Sequence, residues 1–84
     1  MTTSLKVLVC DDSVMYRNLM SNVVQSIANT ELVGSAKNGK EAIEFIENNP
    51  VDIAFLDIVM PEMDGMQTLE VIKQRFPKVK VVMV

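Results

Sequence analysis

The chain has 84 residues, 49% hydrophobic and 23% charged, with a formal net charge of −3. That suits one small globular domain and not two; with no basic cluster it argues against nucleic-acid binding, and no apolar stretch approaches the length needed to span a membrane. The absence of histidine removes His-based zinc sites, Ser-His and Cys-His catalysis, and a phosphohistidine on this chain.

The elements alternate along the chain. Met1-Thr2-Thr3-Ser4 is not a signal peptide. Leu5 to Cys10 reads as a strand, followed by Ser13 as N-cap of a helix through about Ala28, with Met15, Leu19, Val23 and Ile27 on one face at helical spacing. Leu32 to Ala36 is a second, weaker strand, and Asn38-Gly39 signals a turn. A helix from about Lys40 to Asn48 buries Ala42, Ile43 and Ile46, and Pro50 prevents its continuation. Val51 to Leu56 is a third strand, and Pro61 and Gly65 bracket an irregular loop. A helix from about Met66 to Arg75 turns Leu69, Ile72 and Phe76 inward, Pro77 ends it, and Val79 to Val84 is a fourth strand. Strands alternating with helices at these lengths imply a parallel sheet with right-handed crossovers, an α/β fold. The seven methionines follow no ligand spacing and read as core filler. One cysteine, Cys10, excludes an internal disulfide and reads as a buried strand residue in a reducing, cytoplasmic setting. Acidic neighbours raise a thiol pKa, which argues against redox reactivity there.

Two apolar runs stop at carboxylates: the first strand at Asp11-Asp12 and the third at Asp57. In open α/β sheets the carboxyl end of the strands is where ligands bind. Taken singly, Asp11 reads as a helix cap and Asp57 as a turn cap. Taken together they repel: at ~4 Å and an effective dielectric of about 20, each pair costs on the order of 4 kcal/mol. A hard-cation site explains that cost better than structure does. Mg²⁺ takes an octahedral oxygen shell with one or two carboxylates, several waters and room for a phosphate. By spacing, the Val59 carbonyl is the best-placed further oxygen. An aspartate beside Mg²⁺ can attack phosphorus and form an acyl phosphate. No Gly-x-Gly-x-x-Gly follows the first strand, which argues against dinucleotide binding.

Val7-Leu8-Val9-Cys10-Asp11-Asp12-Ser13, followed by Leu56-Asp57-Ile58-Val59-Met60-Pro61-Glu62-Met63-Asp64-Gly65, resembles the receiver domain of two-component response regulators over essentially the whole chain. The resemblance implies a flavodoxin-like doubly wound sheet of order 2-1-3-4, with Asp57 as phosphoacceptor, Asp11 and Asp12 serving Mg²⁺ and Val59 giving a carbonyl ligand. The phosphodonor would be a histidine kinase. The Asp-Asp-Ser-x-x-x-Arg opening, through Arg17, and the Lys80-Val81-Val82-Met83-Val84 ending look like chemotaxis receivers, including that of the chemotaxis methylesterase. Asp64 is expected to cap the third helix or face solvent, and Gly65 to take a positive φ in the turn before it.

A complete receiver has five strand–helix units, a Ser or Thr after the fourth strand and a Lys ending the fifth. This sequence supplies four strands and three helices, and Lys73, Lys78 and Lys80 lie in the wrong places to substitute. Residues 1–84 are therefore expected to be the N-terminal part of a single receiver domain. They would self-associate, or pair with the missing C-terminal half, through the edge of the fourth strand. The leading expectation is a phosphoacceptor signalling module and not an enzyme. The alternatives are a non-switching interaction fragment, or the regulatory head of a longer methylesterase.

Overall fold

The computed structural model describes residues 4–60 and 63–84. Its elements are β1 (Leu5–Cys10), α1 (Val14–Ser26), β2 (Thr30–Ala36), α2 (Gly39–Asn48), β3 (Ile53–Leu56), α3 (Gly65–Arg75) and β4 (Lys80–Met83). The strands form one parallel sheet in the order β2-β1-β3-β4, as the resemblance implies. β1 lies between β2 and β3, so the chain reverses direction across the sheet at the carboxyl ends of β1 and β3. None of the described helices is long and apolar enough to cross a membrane.

Alternation along the strands builds two cores. Val7 and Val9 pack with Val24 of α1, with Met20, Leu32, Ile53 and Phe55 around them. Leu8, Cys10, Ala54 and Leu56 point to the other face, against Ala42 and Ile46 of α2 and Ile72 of α3. One face thus carries α1 and the other carries α2 and α3. Central strands that are covered on both sides read as unbroken apolar runs, which is why β1 shows no polar alternation from Val7 onward.

Four local features differ from the sequence expectation. The Met15, Leu19, Val23 and Ile27 face of α1 does not enter the core; those side chains are exposed, and only Val24 of the helix is fully buried. The ridge that meets the sheet is Met20 and Val24, rotated from the expected one by about one residue's turn. α1 also ends at Ser26, two residues earlier than expected. Thr30 Oγ1 donates to the Val24 and Ile27 carbonyls at 2.7 and 2.8 Å, satisfying acceptors that a longer helix would have used. Asn29 makes the reversal at φ 65°, a left-handed conformation that asparagine tolerates.

β3 begins at Ile53 and not at Val51 because Asp52 is engaged with β1. Its carboxylate accepts from Lys6 N at 2.7 Å, and its own N–H donates to the Lys6 carbonyl at 2.8 Å. Among the methionines, Met60 is buried, but Met15 and Met66 face solvent and are not core filler. Pro61 and Glu62, which belong to the loop motif, lie outside the described residues.

Candidate functional site

β1 and β3 are paired in register, Cys10 opposite Leu56, and the pairing runs one residue beyond the strands. Asp57 N–H donates to the Cys10 carbonyl at 2.9 Å, and Asp11 N–H donates to the Ala36 carbonyl of β2 at 3.0 Å. Both acids are therefore fixed at the carboxyl edge of the sheet. Asp12, next along the chain, is drawn to the same place. Asp11, Asp12 and Asp57 each offer a carboxylate oxygen within 4.8 Å of the others. Asp11 is buried, Asp57 half-buried and Asp12 exposed.

Local hydrogen bonds set the aim of two of the carboxylates. Asp11 Oδ1 accepts from Ser13 N–H at 2.9 Å, while Ser13 itself caps α1, its hydroxyl accepting from Tyr16 N–H at 3.4 Å. Asp57 Oδ1 accepts from Val59 N–H at 3.3 Å. The sequence thus supplies a capping serine, and the acid in front of it stays available. Asp64 caps α3 as expected, in a reciprocal capping box with Gln67 at 2.9 and 3.1 Å.

Three oxygens so disposed fit a hard divalent cation. An octahedral Mg²⁺ with oxygens at about 2.1 Å holds its ligands roughly 3 to 4.2 Å apart. Oxygens all within 4.8 Å of one another allow two direct carboxylates with a third acting through water. The donor set is all oxygen, which selects Mg²⁺, Ca²⁺ or Mn²⁺ over softer metals.

Three further residues shape the site. Gly65 takes no positive φ; it is the first residue of α3. Its glycine character is required by close approach instead: a Cβ there would lie 2.3 Å from the Asp57 carbonyl oxygen and 2.7 Å from Ile58 Cα. Its N–H donates to the Ile58 carbonyl at 2.9 Å, closing the loop onto the helix. Arg17 reaches back from α1 so that Nη1 donates to the Asp11 carbonyl at 2.7 Å. Cys10 is buried below the acids, its Sγ 3.3 Å from the Asn38 carbonyl and 3.4 Å from Met60 Sδ. Burial, and then the charges of Asp11, Asp57 and Glu41, push its thiol pKa up to about 12, against a small opposing pull from Arg17. Cys10 is therefore a neutral S–H packing group joining β1, the turn before α2 and the loop after β3. The only sequence signal for Arg17 is its spacing from the acid pair, Gly65 carries none that separates close approach from turn chemistry, and the buried, unreactive Cys10 is as the sequence leads one to expect.

Residues 7–84 match the response regulator receiver domain family. The chain is 39% identical over 84 residues to a protein-glutamate methylesterase/protein-glutamine glutaminase of Pyrococcus horikoshii, and spans 23% of that protein. It is 40% identical over 79 residues to the chemotaxis protein CheY of Listeria monocytogenes, covering 94% of this chain and 66% of that one. The fold superposes on the response regulator domain of Thermotoga maritima CheB with a TM-score of 0.89 and 34% identity, covering 95% of this chain and 59% of that one. The chain belongs to the response regulator receiver domain family.

Proposed function

We propose that this chain is a phosphoacceptor module of a two-component system, accepting a phosphoryl group on Asp57 with Mg²⁺ held by Asp11, Asp12, Asp57 and the Val59 carbonyl. The observation that carries the reading is the convergence of the three carboxylates, within 4.8 Å, at the carboxyl end of the sheet. The packing described above does not call for three acids there, and a bound cation would relieve their mutual repulsion.

In this reading Asp57 is the nucleophile. Its Oδ1 is held by Val59 N–H, and Oδ2, which takes no hydrogen bond among the described residues, forms the bond to phosphorus. The P–N bond to a donor phosphohistidine breaks as the P–O bond forms, and the released imidazole nitrogen takes up a proton. The donor histidine would belong to a partner kinase; residues 1–84 contain no histidine. Bound Mg²⁺ offsets charge between the carboxylate and the phosphoryl oxygens. The Gly65 contact and the Cys10–Met60 packing keep the loop after Asp57 from shifting during attack.

The similarity to CheY and methylesterase receivers favours a chemotaxis pathway. A second reading, the regulatory head of a longer methylesterase, is favoured by the 23% span of such a relative. Residues 1–84 would then form the N-terminal part of one receiver domain, as the 66% span of the Listeria protein also suggests.

Intact mass after incubation with acetyl phosphate and Mg²⁺ tests the reading, with Asp57→Ala alongside. One phosphate adduct that is lost in the variant supports it. An absent adduct, or one that persists in Asp57→Ala, rejects Asp57 as the acceptor in this chain.

A further inference from the structure

We infer that Arg17 is a positioning residue for the acid pair, fixing the peptide that joins Asp11 to Asp12 and so setting how both carboxylates meet the Asp57 site. The inference rests on the reading of that site as a Mg²⁺ centre. Arg17 is half-buried, and its Nη1 donates to the Asp11 carbonyl at 2.7 Å. That carbonyl and the Asp12 N–H belong to one planar unit, so gripping the oxygen orients the residues on both sides of it. The remaining restraints all lie on Asp11: its N–H bonds to the Ala36 carbonyl at 3.0 Å, and its Oδ1 accepts from Ser13 N–H at 2.9 Å. Asp12 has no hydrogen bond of its own among the described residues and relies on this peptide for its direction.

The placement of Arg17 needs such an explanation. It stands in the first turn of α1, where the helix dipole disfavours a cation, and no acid in that turn compensates. The ion pairs among the described residues are Lys37–Glu41 and Arg75–Glu47, so its guanidinium makes no direct ion pair with a carboxylate. A charge-assisted bond to a neutral carbonyl beside three acids is what the side chain is used for.

Positioning and plain counter-charge predict opposite signs. A guanidinium acting only through its charge would repel an incoming cation, and its removal would tighten Mg²⁺ binding. A guanidinium that aims the ligands would loosen binding when lost, by about tenfold as for other groups that orient metal ligands. The experiment is Mg²⁺ titration of the full chain, of Arg17→Met and of Arg17→Lys, by calorimetry and by the Asp12 amide resonance. The expected result is weaker Mg²⁺ binding in Arg17→Met, a shifted Asp12 amide before metal is added, and an intermediate affinity in Arg17→Lys, which keeps the charge but loses the planar fork. Equal or tighter binding in Arg17→Met overturns the inference. Should Arg17→Met not fold, an unchanged affinity in Arg17→Lys overturns it instead. Failure of the unsubstituted chain to bind Mg²⁺ overturns the site reading itself, a result distinct from either variant's.

Discussion

Asp57 owes part of its position to a residue without a side chain. At Gly65 a methyl group would meet the Asp57 carbonyl oxygen at 2.3 Å, and the atoms it meets are backbone and cannot rotate aside. Helix propensity alone favours alanine over glycine, by about 1 kcal/mol in a helix interior and by less at the first residue of α3. The contact reverses the sign: overpacking costs about 1–3 kcal/mol, and the loop carrying Asp57 has to move. Urea unfolding should show Gly65→Ala to be the less stable protein, with a reduced acetyl-phosphate adduct; a stabilised variant would refute the contact. Cys10 supports a prediction in pH. Its folded pKa is raised to about 12 from an ordinary 9.0, so the folded state holds the proton more tightly than the unfolded state. That contribution is fully present below pH 9 and is lost as pH climbs towards 12. The stability advantage of the native protein over Cys10→Ala should therefore shrink as pH rises from about 9 to 10.5 in denaturant titrations. A constant difference across that range would mean that the thiol is not buried in this way.

At the scale of elements, α1 gives the sharpest test, because its two candidate faces predict different residues. Val24 is fully buried against Val7 and Val9, whereas its neighbour Val23 is 57% exposed. Val24→Ala removes two buried methyl groups and should cost about 2 kcal/mol, while Val23→Ala should stay within about 0.5 kcal/mol. Equal effects at the two positions would put the helix in another orientation. The sequence could not choose between the faces. Met15, Leu19, Val23 and Ile27 form the longer apolar stripe, and periodicity records spacing but not which stripe meets a sheet. The caps were legible because Ser13 and Asp64 act on amides within three residues of themselves. The end of α1 was not, since the Thr30 hydroxyl that completes it comes from the next strand. The same division holds for the site. Asp11, Asp12 and Asp57 could be read from two strand ends, because parallel pairing of β1 and β3 brings such ends together. The bond from Arg17 ends on a main-chain carbonyl, which no residue pattern spells. Gly65 looked like a turn glycine because Asp-Gly satisfies turn chemistry and close approach equally well.

The molecule as a whole is covered unequally. Among the described residues two helices lie on one face of the sheet and one on the other, and α1 packs over the β1 and β2 half of its face. Beyond it Ile53 and Phe55 are only half-buried, and Val82, which is paired with Phe55, is 42% exposed. The outer edge of β4 pairs with no described strand. α1 also carries an exposed apolar stripe of Met15, Leu19, Val23 and Ile27. An open edge with exposed valines is a template for pairing, and one charged residue on it, Lys80, protects only its start. A net charge of −3 offers weak repulsion between copies, further screened beyond roughly 8 Å at physiological salt. Self-association at micromolar concentration is therefore expected, driven by apolar contact and so not weakened by added salt. Sedimentation velocity across a concentration series should show the mean mass rising, and Leu19→Lys combined with Val82→Lys should return it to the monomer value. Both substitutions fall on exposed positions outside the acid cluster, so the double variant should keep its Mg²⁺ binding while losing the association. A monodisperse monomer throughout the series would mean that the exposed valines and the α1 stripe do not meet another copy.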